Sequence, residues 1–82
     1  MKMIAYSKQA TRTLSRLSLD DSRRIRAAIQ SYANVGQGDV KKLCGLPFFR
    51  LRIGNWRVIF DDDGLIMSIE KIGSRGDIYK GV

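Results

Sequence analysis

The sequence contains no histidine and only one cysteine, Cys44. Without histidine the chain has no imidazole for acid–base catalysis, no Cys–His pair and no histidine-based metal site. Cys44 has no second cysteine with which to form an internal disulfide, and we interpret it as a small buried side chain rather than a reactive thiol. Any chemistry that this protein performs therefore depends on other side chains.

Long apolar runs are also missing from the sequence. No stretch approaches the roughly 18 consecutive apolar residues of a membrane-spanning helix, and no signal peptide precedes the first predicted element. We therefore expect a protein of the cytosol that has no membrane partner.

Acidic side chains are scarce relative to basic ones. Fifteen Lys and Arg against eight Asp and Glu give a formal net charge of +7. Such an excess attracts RNA, DNA or an acidic protein through forces that weaken with salt. With 82 residues, of which 44% are hydrophobic and 28% charged, the chain predicts one small globular domain over residues 1–82.

The N-terminal half predicts a short strand followed by two helices. The strand covers residues 2–6, and Ser7 is a candidate N-cap for a first helix over residues 8–17. Ser18 and the acidic residues after it begin a second helix, which Gly36 ends. Three arginines lie off the apolar stripe of this helix, and we assign them a minor electrostatic role: Arg23, Arg24 and Arg26.

A change of composition marks the segment between the helices and the C-terminal strands. Residues 36–47 are rich in Gly, Lys and polar side chains, which predicts a connecting loop. This loop carries Lys41 and Lys42, which are further candidates for contact with an anionic partner.

Strict alternation makes the next segment the most informative part of the chain. Phe49, Leu51 and Ile53 fall on one face of a predicted strand, because successive side chains of a strand point to opposite sides. Arg50 and Arg52 fall on the other face. The apolar face predicts contact with the core, and the cationic face predicts contact with solvent or an anion.

A tight turn at residues 54–55, Gly-Asn, fits the type II′ geometry and predicts a hairpin. In this register Arg52 lies opposite Arg57, and Arg50 lies opposite Ile59. Like charges directly across a ladder destabilise a sheet by up to roughly 1 kcal/mol, so their placement favours a bound anion such as phosphate. A solvated outer face that protects the sheet from aggregation is the alternative interpretation.

A second hairpin turns at residues 61–64, where three aspartates precede a glycine. Asp-Gly is a favoured turn pair, so we interpret the aspartates as a hairpin tip and expect no metal site there. Beyond the tip, alternation predicts Leu65 on the apolar face and either Ser68 or Glu70 beside Arg57.

Together these elements predict an α+β fold in a small single domain. Its sheet is mainly antiparallel and consists of a short N-terminal strand and two C-terminal hairpin strand pairs. The sheet is expected to pack on an N-terminal two-helix hairpin.

Several segments of the chain resemble the RelE/ParE superfamily of bacterial toxins. They are the helix pair, the Lys-Leu-Cys-Gly step at residues 42–45, the run Arg50–Phe60 and the closing segment Ile72–Tyr79. The most specific part is a basic-x-basic, Gly, aromatic-Arg-hydrophobic hairpin followed by a terminal Gly-x-Arg-x-x-x-Tyr segment. Members of the superfamily form pairs in which an antitoxin wraps and neutralises the toxin, and the resemblance implies that this chain is the toxin.

RelE-like members of the superfamily cut messenger RNA in the ribosomal A site, whereas ParE-like members act on DNA gyrase. Five residues match the catalytic positions of the RelE-like branch, although arginines stand where its best-known members have lysines on the first strand of the hairpin: Arg50, Arg52, Arg57, Arg75 and Tyr79. The resemblance therefore implies a ribosome-dependent endoribonuclease.

The same resemblance implies a reaction without metal or cofactor, in which the 2′-OH of the RNA attacks the adjacent phosphorus. Arg50, Arg52 and Arg57 are expected to hold the phosphate, Arg75 to lie by the leaving oxygen, and Tyr79 to contact the 2′-OH or to stack on a base. Further contacts to RNA or the ribosome are assigned to the three arginines of the second helix and to four lysines: Lys41, Lys42, Lys71 and Lys80.

The implied partners are a cognate antitoxin encoded nearby, the ribosomal A site with its mRNA, and operator DNA for the toxin–antitoxin complex. The implied location is the bacterial cytoplasm. Two other functions stay open at this point: a ParE-like gyrase inhibitor without nuclease activity, and a non-catalytic RNA-binding module. Such a module usually exposes aromatic residues, whereas Phe49, Trp56 and Phe60 fall on the predicted core side.

Overall fold

The computed structural model describes residues 1–78, which form two helices and a five-stranded sheet. The elements in chain order are β1 (Met3–Tyr6), α1 (Lys8–Arg16), α2 (Leu19–Val35), β2 (Asp39–Lys42), β3 (Phe49–Ile53), β4 (Trp56–Asp62) and β5 (Ile66–Ser74). In the sheet the order is β1-β5-β4-β3-β2. β1 runs parallel to β5, and the other neighbours are antiparallel. The predicted α+β class is therefore confirmed.

Both helices begin after the predicted serine caps and α2 ends at Gly36 as predicted, whereas α1 ends at Arg16, one residue before its predicted end. The Ser7 hydroxyl accepts the N–H of Ala10 at 3.1 Å, and the Ser18 hydroxyl accepts the N–H of Asp21 at the same distance. These side chains satisfy donors that the first turn of each helix leaves unpaired. Gly36 ends α2 in the left-handed conformation with φ 72°, which glycine adopts without the steric cost of a Cβ.

The core lies between the two helices and one face of the sheet. Its buried members are Ala10, Leu14, Ile25, Ile29, Ala33, Leu51, Ile53, Val58, Phe60, Met67, Ile69 and Ile72. Trp56 packs against this cluster, as its position in the alternation predicts. Burying one large aliphatic or aromatic side chain of this kind stabilises the fold by about 1.5–3 kcal/mol. We call the sheet face that packs on the helices the core face and the opposite side the open face.

The first predicted hairpin has the predicted register. In the β3–β4 ladder, Leu51 pairs with Val58, and Arg52 pairs with Arg57. A type II′ turn requires a positive φ at its first central residue and a negative φ at its second. Gly54, the first, has φ 57°, and Asn55, the second, does not have a positive φ. The hairpin therefore places the arginines of β3 and Arg57 of β4 on the open face.

The prediction of a loop over residues 36–47 is wrong in part, because the segment contains the edge strand β2. Asp39 pairs with Arg52, and Lys41 pairs with Arg50. Three of the four residues of β2 are charged, so the strand has little apolar alternation of its own and is held by its hydrogen bonds to β3. The prediction of a buried Cys44 is also wrong, since this side chain is exposed in the turn segment that follows β2.

The predicted neighbours of Arg57 on β5 are corrected as well. Arg57 pairs with Gly73, whereas Ser68 pairs with Asp61. The difference arises because β4 continues into the predicted turn and a bulge shifts the register between Ile59 and Phe60. Both effects move the partner of Arg57 further along β5.

The second hairpin reverses at its acidic tip, as predicted. The Asp63 carboxylate accepts the N–H groups of Ile66 and Leu65 at 2.7 and 2.9 Å, and these bonds lower the pKa of Asp63. Leu65 itself is 77% exposed at the tip, so its predicted place on the apolar face is wrong. Within residues 1–78, no group of three Asp, Glu, Cys or His side chains is arranged to hold a metal ion.

Lys2 connects the start of β1 to two other elements. Its ammonium group donates to the Asp62 carboxylate at the end of β4, and it lies 5.3 Å from the centre of the Tyr32 ring on α2. Its backbone N–H donates to the carbonyl of Ala33 at 3.0 Å.

No helix within residues 1–78 is long and apolar enough to cross a membrane.

Candidate active site

Basic side chains occupy three neighbouring strands on the open face. In the ladders, Lys41 of β2 lies opposite Arg50 of β3, and Arg52 of β3 lies opposite Arg57 of β4. Opposite residues in antiparallel strands have Cα atoms about 4.5–5.5 Å apart. We call Lys41, Arg50, Arg52 and Arg57 the basic cluster. One carboxylate, that of Asp39, lies next to the cluster on β2.

Arg57 is the buried member of the basic cluster, with 6% of its surface exposed. Its Nη1 donates to the carbonyl oxygens of Gly54 at 2.6 Å and of Trp56 at 3.0 Å. These bonds fasten the guanidinium to the β3–β4 turn and so fix its position. Among residues 1–78 they engage Nη1 alone, which leaves Nε and Nη2 available to a ligand.

Arg50 is held at the edge of the same face by a carboxylate. Its Nη2 lies 3.7 Å from the Asp39 carboxylate, and only 20% of its side-chain surface is exposed. Its Nε is buried without a hydrogen-bond partner among the described residues. An unpaired buried donor costs roughly 1–3 kcal/mol, so Arg50 has donor capacity that the rest of residues 1–78 does not satisfy.

Arg52 and Arg75 are the exposed arginines at the turn end of the sheet. Arg52 is adjacent to the turn in sequence and directly opposite Arg57. The backbone N–H of Arg75 donates to the carbonyl oxygen of Asn55 at 2.8 Å, which brings the segment after β5 to the same turn. Of the five residues assigned to catalysis, Arg50, Arg52 and Arg57 therefore share the open face, Arg75 reaches the turn through its backbone, and Tyr79 lies outside the described residues.

The residues assigned to RNA or ribosome contact fall into two groups. Lys41 and Lys71 lie on the open face, where Lys71 is opposite Ile59. Lys42 pairs with Phe49 and therefore lies on the other side of the sheet. Lys80 lies outside the described residues. Of the three lysines that the structure describes, Lys41 belongs to the basic cluster and Lys71 extends it on the open face.

The three arginines of α2 are exposed on the helix side of the sheet. Arg26 lies 5.4 Å from the centre of the Tyr6 ring. Burial raises the pKa of Tyr6, and Arg26 opposes part of that effect. Arg24 reaches the β3–β4 turn, because its Nη2 lies 3.0 Å from the point where a Cβ on Gly54 would be. Arg23 and Arg26 thus stand apart from the basic cluster, whereas Arg24 approaches its turn end.

Three residues of this site were not identified from the sequence. Asp39 was missed because its strand was predicted as a loop, and the only signal for it is the alternation of Asp39, Val40 and Lys41. Gly73 was missed as the partner of Arg57 because that pairing depends on the register of β5. Ile78, which follows β5, was not assigned to the site either. Together the described residues form a cationic surface that can bind a phosphodiester and stabilise the charge that develops on phosphorus.

Comparisons with known proteins agree with this fold. The sequence matches no family model and no curated protein sequence. A chain of an archaeal RelE–RelB complex from Pyrococcus horikoshii OT3 is 25% identical, with a TM-score of 0.74, over 93% of this chain and 97% of that chain. A chain of the RelB–RelE antitoxin–toxin complex from Methanococcus jannaschii is 22% identical, with a TM-score of 0.75, over 93% and 95% of the two chains.

A bacterial structure extends the same similarity. A chain of the intact Escherichia coli RelBE toxin–antitoxin complex has a TM-score of 0.74 over 90% of this chain and 96% of that chain, at only 11% identity. A fold that is retained at so low an identity depends on the pattern of buried positions rather than on particular residues. The match covers nearly the whole of each compared chain.

Proposed function

We propose that this chain, which has the fold of the RelE-like toxin superfamily, is the toxin of a toxin–antitoxin pair. Its proposed activity is that of a ribosome-dependent messenger-RNA endonuclease that needs no metal. The observation that carries this proposal is the basic cluster, in which arginines from β3 and β4 share one face of the sheet. Two opposed guanidiniums do not stabilise the sheet, because like charges repel across a ladder. They do favour phosphate binding, because each guanidinium can donate hydrogen bonds to phosphate oxygens.

In the proposed reaction the 2′-OH of one nucleotide attacks the adjacent phosphorus. A P–O bond forms to the 2′-oxygen, which loses its proton, as the bond to the 5′-oxygen breaks and that oxygen gains a proton, leaving a 2′,3′-cyclic phosphate and a 5′-OH. Arg50, Arg52 and Arg57 hold the phosphate and offset the negative charge of its transition state, each well-placed donor contributing about 3–4 kcal/mol. In the same proposal Arg75 lies by the leaving oxygen, and Tyr79 contacts the 2′-OH or stacks on a base.

Arg57 suits this role because its position is fixed before substrate arrives. The bonds from Nη1 to Gly54 and Trp56 hold the guanidinium, so little reorganisation accompanies the reaction. Arginine is a poor general acid, since its guanidinium keeps its proton at any working pH. The proposal therefore assigns part of the rate to the ribosome, which aligns the 2′-OH with the phosphorus.

The proposed partners follow from the same premise. The structural neighbours from archaea and Escherichia coli are toxin chains in complexes with RelB antitoxins, and we expect this chain to bind a cognate antitoxin that covers its cationic surface. The remaining proposed partners are the ribosomal A site with its mRNA and, for the toxin–antitoxin complex, operator DNA. The proposed location is the bacterial cytoplasm, and residues 1–82 are taken as one domain.

The test is to induce the chain in a bacterium and to map the 5′ ends of its transcripts. New ends within translated codons, absent when Arg52 is replaced by alanine, are expected. A matched control is Arg12→Ala, which removes an exposed arginine from α1 on the other side of the sheet. Purified protein added to programmed ribosomes should cut the bound mRNA and leave naked mRNA largely intact.

Three results would contradict the proposal. Inhibition of DNA supercoiling by gyrase with intact transcripts would indicate a ParE-like toxin. RNA binding without cleavage and without growth arrest would indicate a non-catalytic RNA-binding module. Equal cleavage by the wild type and by Arg52→Ala would remove the basic cluster from the reaction.

A further inference from the structure

An isoleucine is buried on the open face, away from the core between the helices and the sheet. Ile78 has no exposed surface, although it follows the last strand and is not part of the core cluster. A Cβ placed on Gly73 would meet Ile78 Cδ1 at 3.1 Å, its Cα at 3.4 Å and its Cβ at 3.5 Å. Because Ile72 points to the core, this missing Cβ lies on the open face. Ile78 therefore packs against the backbone of β5 beside Arg57, the ladder partner of Gly73.

The segment between these two residues is a compact turn. The N–H groups of Asp77 and Ile78 both donate to the carbonyl of Ser74, at 3.1 and 3.0 Å. The Ser74 hydroxyl donates to the Asp77 carboxylate at 3.1 Å. Residues 74–78 thus return onto the open face, and Ile78 is the apolar side chain that holds their far end.

This turn carries Arg75, whose backbone reaches the β3–β4 turn. The near end of the turn is fixed by the bond from the Arg75 N–H to the Asn55 carbonyl. A single hydrogen bond of this kind contributes only about 0.5–1.5 kcal/mol, so a second attachment is needed to hold the turn in one position. The contact between Ile78 and Gly73 supplies that attachment.

We propose that Gly73 and Ile78 are positioning residues, and that their contact holds Arg75 at the turn end of the basic cluster. The absence of a side chain at Gly73 lets Ile78 lie flat on the sheet, and the buried Ile78 side chain keeps the turn from leaving the open face. The effect of this contact on mRNA cleavage rests on the proposed nuclease function. The contact itself does not, because it can be tested without RNA.

The contact is tested by limited trypsin digestion of the full chain, with mass spectrometry of fragments that end at Arg75. Cleavage after Arg75 requires the turn to open, since a protease binds its substrate in an extended form. Ile78→Ala is expected to speed this cut at least about tenfold, and Ile78→Val, which keeps most of the contact, at most about threefold. Leu65→Ala, an exposed apolar residue at the other end of the sheet, is the matched control and should leave the rate unchanged.

Gly73→Ala provides a second variant that leaves Ile78 intact. Its new methyl group would stand 3.1 Å from Ile78 Cδ1 and 3.4 Å from Ile78 Cα, so Ile78 must shift by a few tenths of an ångström. We expect this loosened contact to speed the cut after Arg75, by less than Ile78→Ala does. If neither Gly73→Ala nor Ile78→Ala changes the rate of trypsin cleavage after Arg75, the proposal is overturned. Thermal unfolding of each variant identifies the fraction folded, and the rates are compared at temperatures where every variant is folded.

The catalytic consequence is tested by coupling between two substitutions in ribosome-bound mRNA cleavage. Ile78→Ala is expected to lower the cleavage rate at least about tenfold in the wild-type background and by less than about twofold when Arg75 is already alanine. Equal losses in both backgrounds would mean that Ile78 does not act through Arg75 and would overturn the positioning role. A wild type that cuts no mRNA would instead refute the proposed function, while the trypsin result would still decide whether the contact holds the turn.

Discussion

Arg52 and Arg57 lie directly opposite each other in the β3–β4 ladder, yet their environments differ. Arg57 is buried and donates to two carbonyl oxygens of the turn region, whereas Arg52 is exposed. The hydrogen bonds of Arg57 offset part of the repulsion between two guanidiniums on one face. The pair therefore combines one guanidinium that is fastened to the turn with one that is exposed to solvent.

The first prediction concerns stability at this pair. Arg57→Ala should lower the free energy of unfolding by about 1–3 kcal/mol, because it removes two hydrogen bonds to turn carbonyls from a buried site. Arg52→Ala is the matched control and should change it by less than about 0.5 kcal/mol, since the side chain is exposed. Urea denaturation followed by the fluorescence of Trp56 measures both, and equal losses would contradict the assigned roles.

The second prediction concerns the salt dependence of RNA binding. Arg52→Ala should reduce the slope of log K against log salt concentration by about 0.7, the value expected for one lost phosphate contact on a single strand. Arg12→Ala should leave the slope unchanged, because this residue lies on α1 rather than on the open face. Filter binding of a short single-stranded RNA over a range of salt concentrations provides the measurement, and a slope that falls equally in both variants would indicate non-specific attraction.

The third prediction concerns the ion pair between Lys2 and Asp62. Burial, the largest single influence, would raise the pKa of Asp62, but the hydrogen bonds from Lys2 and from the Gly64 N–H together lower it below 3.8. The pair therefore stabilises the fold above pH 3.8, and this contribution is lost as the pH falls through the lower folded-state pKa. Asp62→Asn should cost up to about 1 kcal/mol near neutral pH.

The same pair has a second limit at alkaline pH. The hydrogen bond to Asp62 raises the pKa of Lys2 above 10.5, so the contribution is complete below that pH and is lost as the pH rises through the raised pKa. Denaturation curves of the wild type and of Asp62→Asn should therefore differ most at intermediate pH and converge at both extremes. A constant difference at all pH values would show that the pair contributes through packing rather than charge.

The fourth prediction concerns Cys44, whose side chain is exposed. A thiol reagent should label it in the folded protein at a rate within about threefold of that in urea, because no opening of the structure is required. Cys44→Ser should leave both the unfolding free energy and mRNA cleavage unchanged. If labelling requires denaturation, the Cys44 side chain is buried in the folded protein, as the sequence predicts.

Local signals were sufficient for much of the fold. Ser7 and Ser18 cap helices because their hydroxyls reach nearby backbone donors, a relation confined to four residues of sequence. The β3–β4 register likewise depends on a two-residue turn and on alternation, both of which are local. The opposition of Arg52 and Arg57 could therefore be predicted from the sequence and is confirmed.

The errors arose where structure depends on contacts between distant segments. β2 is a charged edge strand whose order comes from pairing with β3, so its own four residues carry little signal. The partner of Arg57 depends on a bulge and on how far β4 extends, and neither feature is visible in alternation alone. The contact between Gly73 and Ile78 depends in turn on that register.

The parallel pairing of β1 with β5 has a consequence for how the protein is made. Met3 pairs with Ile66, and Tyr6 pairs with Ile69. β1 is therefore synthesised first but can pair only after β5, the last strand, has been synthesised. Contacts of such long sequence separation are closed late and slowly during folding. A nascent chain interrupted before β5 lacks the strand that stands between β1 and β4, so β1 stays without a neighbour in the sheet until β5 has been made.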